Sequence, residues 1–447
     1  MRIAVIGGGP VGLVSGSALA NVGHDVTVVD VDRGRSDKIS RGEAPFHEPG
    51  LPELLRRVVD GKRLHATHDA GSAVREAAVV LICVGTPSGD HGADLTALRA
   101  ASADVGRGLA GRPDPVVVVV KSTVPPGTTL GVVAPIVRAE SGLPPALLSF
   151  GMNPEFLREG VAVDDMLHPD RIVLGIDDPS ARPVLESMYQ PFGAPLVFTT
   201  PSGAEMAKYA SNALLATLIS YANEIAQFCE DAAGIDALEV LRAVHLDRRF
   251  RPPASRPLEP STITSYLLPG LGYGGSCFPK DTAALAAWAR GRGLEAPILD
   301  AVRSVNAWRP QRVLSLLRSR IDLQGARVAL LGLAFKPDTD DLRESRSLDF
   351  ARLLAAEGAD VHACDPVAGS MAGDLLRGVA TISPDAETAL NGADAAVLAT
   401  AWPVYVALDP VRVGRLMRRP LVLDARRALD PRAWSAHCEY VPIGVKA

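Results

Sequence analysis

The sequence predicts an α/β protein in which two doubly wound parallel-sheet domains flank a central helical domain. From residue 1 to about 200, short β-branched runs (Ile3–Ile6, Val26–Asp30, Val79–Val84, Val116–Val120, Leu147–Phe150, Ile172–Gly175) alternate with Ala/Leu-rich amphipathic stretches. That alternation is the rhythm of βαβ units. Between Ser202 and about Ala233 the one helix breaker is Gly203, and Met206, Leu214, Leu218, Ala222 and Ile225 recur at helical spacing, which predicts one long helix. A second alternation opens near Arg327: Val328–Gly332 echoes Ala4–Gly7, Val361–Asp365 echoes Val26–Asp30, and Ala395–Pro403 echoes Ala78–Pro87. The expected domains are 1–200, 201–310 and 311–447, in keeping with a chain of 447 residues that exceeds one ordinary core. Prolines crowd the stretch from Arg251 to Pro269 and mark a loop inside the middle domain.

Composition narrows the function classes. Hydrophobic residues make up 47% and charged residues 22%, and 46 Lys+Arg against 51 Asp+Glu give a net charge of −5. Such a balance offers no basic field for nucleic acid or an anionic membrane. No apolar run reaches the roughly 18 residues a membrane span needs. The opening Met-Arg-Ile-Ala-Val-Ile-Gly-Gly-Gly reads as a first strand, because its apolar run breaks into glycines without a small-residue cleavage site. Cys83, Cys229, Cys277, Cys364 and Cys438 are odd in number and lack Cys-x-x-Cys spacing, which argues against a disulfide framework or structural zinc and for a cytoplasmic location. No metal is expected, and His24, His65 and His68 are expected in surface turns.

Gly7-Gly8-Gly9-Pro10-Val11-Gly12 fits G-x-G-x-x-G between a strand and a helix. Its glycines permit a tight turn, close approach of a pyrophosphate to backbone N–H groups, and close helix–strand packing. Alone such a motif is weak, but Asp30 ends the next strand, where a carboxylate accepts the ribose hydroxyls and repels a 2′-phosphate. This favours NAD over NADP, although the nearby Arg35 could hold a phosphate. The first domain is thus expected to be a Rossmann-like NAD site.

Gly272-Tyr273-Gly274-Gly275-Ser276-Cys277-Phe278-Pro279-Lys280-Asp281 sets a cysteine beside backbone N–H groups, a lysine and an aspartate, conditions that stabilise a nucleophilic thiolate. A lone cysteine is more often a small core residue. Asn153-Pro154-Glu155-Phe156-Leu157-Arg158-Glu159-Gly160 places two carboxylates four residues apart, on one face if helical, and Lys208 and Asn212 share that spacing on the long helix. Each pair taken singly could be a solvated helix face. Together a glycine-loop cysteine, two carboxylates, a lysine and an asparagine are the parts needed to oxidise an alcohol beyond the aldehyde.

These residues resemble the UDP-glucose/GDP-mannose dehydrogenase family along nearly the whole chain. The likeness includes Glu48-Pro49-Gly50-Leu51, Val84-Gly85-Thr86-Pro87, Lys121-Ser122-Thr123-Val124-Pro125, Gly332-Leu333-Ala334-Phe335-Lys336-Pro337, Asp341-Leu342-Arg343-Glu344-Ser345 and Asp424-Ala425-Arg426. The resemblance implies an NAD-dependent four-electron oxidation of a nucleotide-linked glucose at C6, UDP- or dTDP-linked, through a Cys277 thiohemiacetal and thioester. GDP-mannose oxidation and an inactive nucleotide-sugar-binding protein are the alternatives.

The resemblance further implies that Lys208 and Asn212 serve the oxyanion, that Asp281 and Glu155 share the proton transfers, and that Thr123 positions water. Thr86, Thr123, Glu159, Arg343 and Arg35 would join Gly7, Gly9, Pro10, Val11, Gly12 and Asp30 at the cofactor. Phe156, Leu157, Arg158, Lys208, Asn212, Tyr273, Gly274, Lys336 and Arg426 would meet the substrate, as would Arg249 across the interface of a homodimer built on the long helix. Three departures from the family pattern stand out: Pro10, Ala425 in place of a usual glycine, and a longer stretch between Arg249 and Cys277.

Overall fold

The computed structural model describes residues 1–89, 92–247 and 262–446. The chain divides into two compact units, Met1–Ser211 and Asn212–Ala447.

The first unit holds strands β1 (Arg2–Ile6), β2 (Asp25–Val29), β3 (Leu64–Thr67), β4 (Val79–Ile82), a two-residue hairpin β5 (Ser88–Gly89) and β6 (Gly92–Ala93), then β7 (Val116–Val120), β8 (Leu148–Met152), β9 (Ile172–Ile176) and β10 (Leu196–Thr199). Eight of them form one sheet in the order β10-β9-β8-β7-β4-β1-β2-β3. Every residue of β7 is buried, as expected of a β-branched run covered on both faces. The expected parallel sheet holds for six strands, but β9 runs antiparallel to β8 and β10 follows β9. The segment from β8 to β9 carries the six-residue helix Ala162–Leu167.

In the second unit β11 (Arg327–Leu331), β12 (Asp360–Cys364), β13 (Thr381–Ile382), β14 (Ala395–Leu398), β15 (Leu421–Asp424) and β16 (Glu439–Pro442) form a parallel sheet in the order β13-β12-β11-β14-β15-β16. Both sheets therefore reverse direction of winding at one place, between β1 and β4 and between β11 and β14. Such switch points are where open α/β sheets bind ligands, outside the carboxyl ends of their strands.

Four helices position the chemistry: α1 (Pro10–Asn21), α2 (Pro201–Asp231), α3 (Phe278–Arg290) and α4 (Pro297–Arg318). The 31-residue α2 is the long helix that the sequence predicts. Its buried side holds Ala213, Ala216, Ser220, Asn223, Ala226 and Glu230, whereas Leu214, Tyr221 and Phe228 are 54%, 45% and 58% exposed. Leu214, expected on the apolar stripe, thus faces outward, because the inward side is given to small residues around polar anchors. Among the described residues, no helix is long and apolar enough to cross a membrane.

Candidate active site

In the first unit the turn after β1 requires glycine. Gly7 has φ +111°, and a Cβ there would lie 2.7 Å from the Cys83 carbonyl oxygen. A Cβ on Gly12 would come 1.8 Å from the Gly7 carbonyl oxygen, so glycine lets α1 begin hard against β1. Gly9 has open space around its Cα, and Pro10 takes the first helical turn, where no N–H is needed. Val11 follows, half-buried.

Asp30, just past β2, accepts the Gly8 N–H at 2.8 Å and the Asp32 N–H at 2.9 Å, and Arg35 Nη1 donates to it at 2.9 Å. The guanidinium that could have held a phosphate is thus paired with the carboxylate that would repel one. An open glycine at a helix N-terminus beside an acid fits a dinucleotide, with pyrophosphate at the start of α1 and ribose at Asp30.

At the neighbouring strand ends, Thr86 Oγ1 donates to the Thr123 carbonyl at 2.7 Å, tying the chain after β4 to that after β7. Glu155 is buried and paired with Lys208 Nζ at 3.0 Å; both side chains are under 10% exposed, at 8% and 4%. Burial alone would push the Glu155 carboxyl up, but Lys208, the Leu157 N–H and the more distant Lys121 hold it below the ordinary carboxylate range. Lys208 also lies 5.4 Å from the centre of the Phe156 ring, whose other cation is Arg171 at 4.1 Å.

The Asn153–Gly160 block is not helical, so Glu155 and Glu159 do not share a helix face. Pro154 lacks a donor, and Glu155 Oε2 accepts the Leu157 N–H at 2.7 Å, a local turn that competes with helix. Glu159 is half-buried, and exposed Arg158 pairs with Asp165. The block ends where Glu48 accepts the N–H groups of Gly160 and Ala162 at 2.9 and 2.8 Å.

In the second unit Cys277 stands at the N-cap of α3, half-buried, with Ser276 Oγ 3.5 Å from Sγ. One turn further, Asp281 is 1% exposed and accepts from Asn212 Nδ2 at 2.6 Å and Lys280 Nζ at 2.5 Å. Lys208 and Asn212 are one turn apart on α2. Within the second unit, one hydrogen bond therefore runs from Asn212 to Asp281, in the turn that begins at Cys277.

The glycine loop before Cys277 is fastened along its length. Gly270 donates to Asn223 Oδ1 at 2.7 Å and accepts from Arg309 Nε at 2.9 Å. Tyr273 is held at both backbone groups by Asn306, at 2.7 and 3.0 Å. Gly275 donates to the Arg343 carbonyl at 2.9 Å. Arg309 pairs with Glu230 at 3.1 Å, both side chains fully buried, and Glu230 also accepts from Arg312 and the Gly444 N–H.

Arg426 is held by carbonyls, with Nε on Ala399 at 2.5 Å and Nη2 on Phe335 at 3.3 Å; burial pushes it down to about 10, partly offset by Asp424. Both of these hydrogen bonds go to neutral carbonyls, an anchoring that suits an anionic ligand. Lys336 lies 5.8 Å from the Phe335 ring centre, and the Arg343 guanidinium is paired with Asp341 at 2.7 Å.

The second sheet repeats the topology of the first but not its cradle. Asp365, the counterpart of Asp30 at the end of β12, accepts from Leu333, Ala334, Val367 and Ala368 N–H groups and from Trp402 Nε1 at 3.1 Å. Gly332-Leu333-Ala334 also lacks the second and third glycines.

A family model described as the UDP-glucose/GDP-mannose dehydrogenase family, NAD binding domain, matches residues 1–193; its central domain matches 202–308 and its UDP binding domain 329–431. The chain belongs to the UDP-glucose/GDP-mannose dehydrogenase family. As a member it is an NAD-dependent oxidoreductase acting on CH–OH donors. It is 43% identical to UDP-glucose 6-dehydrogenase AglM of Haloferax volcanii over 97% of this chain and 98% of that protein. A UDP-glucose dehydrogenase structure from Pyrobaculum islandicum superposes with TM-score 0.89 at 39% identity, covering 100% of this chain and 98% of that one. A UDP-D-ManNAc dehydrogenase structure from Pyrococcus horikoshii gives 0.84 at 26% identity, covering 99% of each chain.

Within this family frame, Arg249 lies outside the described residues. His24 departs from its expected surface turn: it is 7% exposed and its Nε2 lies 3.0 Å from the Met188 carbonyl. His65 and His68 are exposed, but His65 lies on β3 and not in a turn. Sequence reasoning missed Asn223, Asn306, Arg309 and Glu230 behind the cysteine loop. Their spacing, Asn223 with Glu230 and Asn306 with Arg309 on helix faces, was the available signal.

Proposed function

We propose that the chain oxidises UDP-glucose at C6 to UDP-glucuronate in two steps, with Cys277 as covalent catalyst. The observation that carries this reading is Cys277 at the start of α3, one turn from an Asp281 carboxylate bound by Asn212 and Lys280. The identity to proteins named UDP-glucose 6-dehydrogenase supports the sugar nucleotide.

Overall, alcohol, water and two NAD⁺ give carboxylate, two NADH and three protons. NAD, when bound at Gly7–Gly12 and Asp30, with Thr86, Glu159, Arg35 and Arg343 as further contacts, supplies the hydride acceptor for each oxidation. Cys277 Sγ adds to the aldehyde carbon, and its proton passes to a nearby base; the resulting thiohemiacetal becomes a thioester at the second oxidation. Water, positioned by Thr123, displaces the thiol and releases the acid. Lys208 and Asn212 bear the oxyanion, which is worth most where water is excluded. Asp281 and Glu155 share the proton transfers. Phe156, Leu157, Arg158, Tyr273 and Gly274 would line the sugar nucleotide, and Lys336 and Arg426 its diphosphate.

A division into domains 1–200, 201–310 and 311–447 is supported by family-model ranges of 1–193, 202–308 and 329–431. A homodimer on α2 is supported by Leu214, Tyr221 and Phe228, exposed apolar residues at seven-residue spacing on one helix. A cytoplasmic location is supported by five free cysteines.

The test is NADH formed per sugar nucleotide consumed, with UDP-glucose, dTDP-glucose and GDP-mannose, for the wild type and Cys277→Ser. Two NADH per UDP-glucose, with the variant stalling before acid release, is the expected result. One NADH per sugar, or a variant as fast as the wild type, sinks the covalent role; no turnover at all identifies a binding protein. Preference for dTDP-glucose would reassign the base, since one methyl group discriminates by only about 1–3 kcal/mol.

A further inference from the structure

Lys121 stands one residue past β7 and Asn153 one residue past β8, on adjacent parallel strands at the carboxyl end of the sheet. Lys121 is 2% exposed, and its Nζ donates to Asn153 Oδ1 at 2.7 Å. Tyr189, fully buried, donates its hydroxyl to the same oxygen, and Asn153 Nδ2 donates to the Val173 carbonyl at 2.9 Å. Among the described residues, a neutral amide is therefore the hydrogen-bond partner of this buried amino group. An apolar side chain of equal length would avoid the desolvation that this position imposes, and Asn153 Oδ1 would still have Tyr189. The fold alone does not require the charge.

Its surroundings do use it. Two residues past Asn153, Glu155 carries the ion pair to Lys208 on α2. The charged or titratable groups acting on Glu155 are Lys208 and Lys121; those acting on Lys121 are Glu155, Lys208 and the buried thiol of Cys83 past β4. Burial pushes the Lys121 ammonium below the ordinary lysine range, opposed by Cys83 and Glu155; where it carries its proton, Glu155 lies in the field of two ammonium groups, with Lys208 in direct contact.

We propose that Lys121 is a positioning residue for the Glu155–Lys208 pair: through Asn153 it fixes the turn from which Glu155 projects, and it sets a second amino group beside that ion pair. With Glu155 shared between two cations, Lys208 retains positive charge for a developing oxyanion instead of being cancelled by its partner. This rests on the reading of Glu155 as a proton carrier. Direction of the pH effect follows from sign. Lys121 contributes to holding the Glu155 carboxyl down, so removing its charge raises that carboxyl, and the protonated form takes over at a higher pH.

The experiment is the pH profile of kcat/KM for UDP-glucose in the wild type, Lys121→Met, Lys121→Gln and Tyr189→Phe, with melting temperature recorded for each. Both lysine variants are expected to fold, to move the acid limb to higher pH, and to lose kcat/KM below that limb. Lys121→Gln keeps a donor for Asn153, so it supplies the result on a folded chain if Lys121→Met is unstable. Tyr189→Phe removes a hydrogen bond from the same amide but no charge, and its limb stays in place. An acid limb unmoved in Lys121→Gln overturns the proposal, as does an equal shift in Tyr189→Phe, which would trace the effect to geometry alone. Absence of wild-type turnover would instead overturn the proposed function, so the two failures are distinguishable.

Discussion

Replacing Gly274 by alanine tests how tightly the cysteine loop is held. A Cβ there would lie 2.4 Å from the Glu344 carbonyl oxygen, 3.0 Å from its carbonyl carbon and 3.1 Å from Phe335 Cβ, where ordinary contact begins at 3.4 Å. The nearest atoms are backbone, so relief requires a separation of about 1 Å, the difference between 3.4 and 2.4 Å. The Gly275 N–H bound to the Arg343 carbonyl at 2.9 Å resists that separation from the next residue. The displacement therefore runs along the loop toward Cys277, three residues on. A misplacement of this size lowers the rate roughly 100-fold, while overpacking costs about 1–3 kcal/mol of stability. Steady-state kinetics with UDP-glucose, beside thermal unfolding, gives both quantities. Wild-type kcat in a Gly274→Ala enzyme would refute the view that backbone contact fixes the position of the thiol.

Gly9→Ala is expected to fold normally, because nothing lies within 4 Å of the added methyl, yet to raise the KM for NAD where pyrophosphate must approach the backbone; an unchanged KM would count against the assigned cradle. Asp30→Asn should raise the KM for NAD about tenfold and narrow the preference over NADP, read from parallel titrations of the two cofactors. Glu230→Ala leaves the fully buried Arg309 uncompensated and should remove about 3–5 kcal/mol of stability in denaturant unfolding, with loss of activity following the loss of the Gly270 anchor. Iodoacetamide should label Cys277 first and abolish turnover, since the other four cysteines are buried; mass spectrometry finding Cys83 or Cys364 labelled first would contradict that order.

Strands, the glycine turn, Asp30, the long helix and the echo between the two sheets were legible because each is written in local spacing. Glycine at Gly12 is forced by the Gly7 carbonyl and glycine at Gly7 by the Cys83 carbonyl past β4, the neighbour of β1 in the sheet, and the motif records both. Other features lie in partners far along the chain. Lys121 meets Asn153 across 32 residues and Arg309 meets Glu230 across 79, and a buried lysine or arginine is spelled like an exposed one. The same holds for His24, buried against Met188, and for Leu214, whose outward position depends on which helix face carries Asn223 and Glu230. Glu155 and Glu159 share a helical spacing that Pro154 and a carboxylate-bound Leu157 N–H cancel. The reversed β9–β10 pair is not written in any pattern within those strands.

Trp402 and four backbone amides saturate Asp365, so the second sheet keeps the outline of a dinucleotide domain with its ribose acceptor permanently answered from inside. Among the described residues, one cradle would then serve the proposed reaction, which needs an electron acceptor twice. In that scheme the spent carrier departs before its replacement arrives, and a free aldehyde could diffuse away with the outgoing molecule. The proposed covalent tether at Cys277 would turn this timing problem into a matter of bond lifetime.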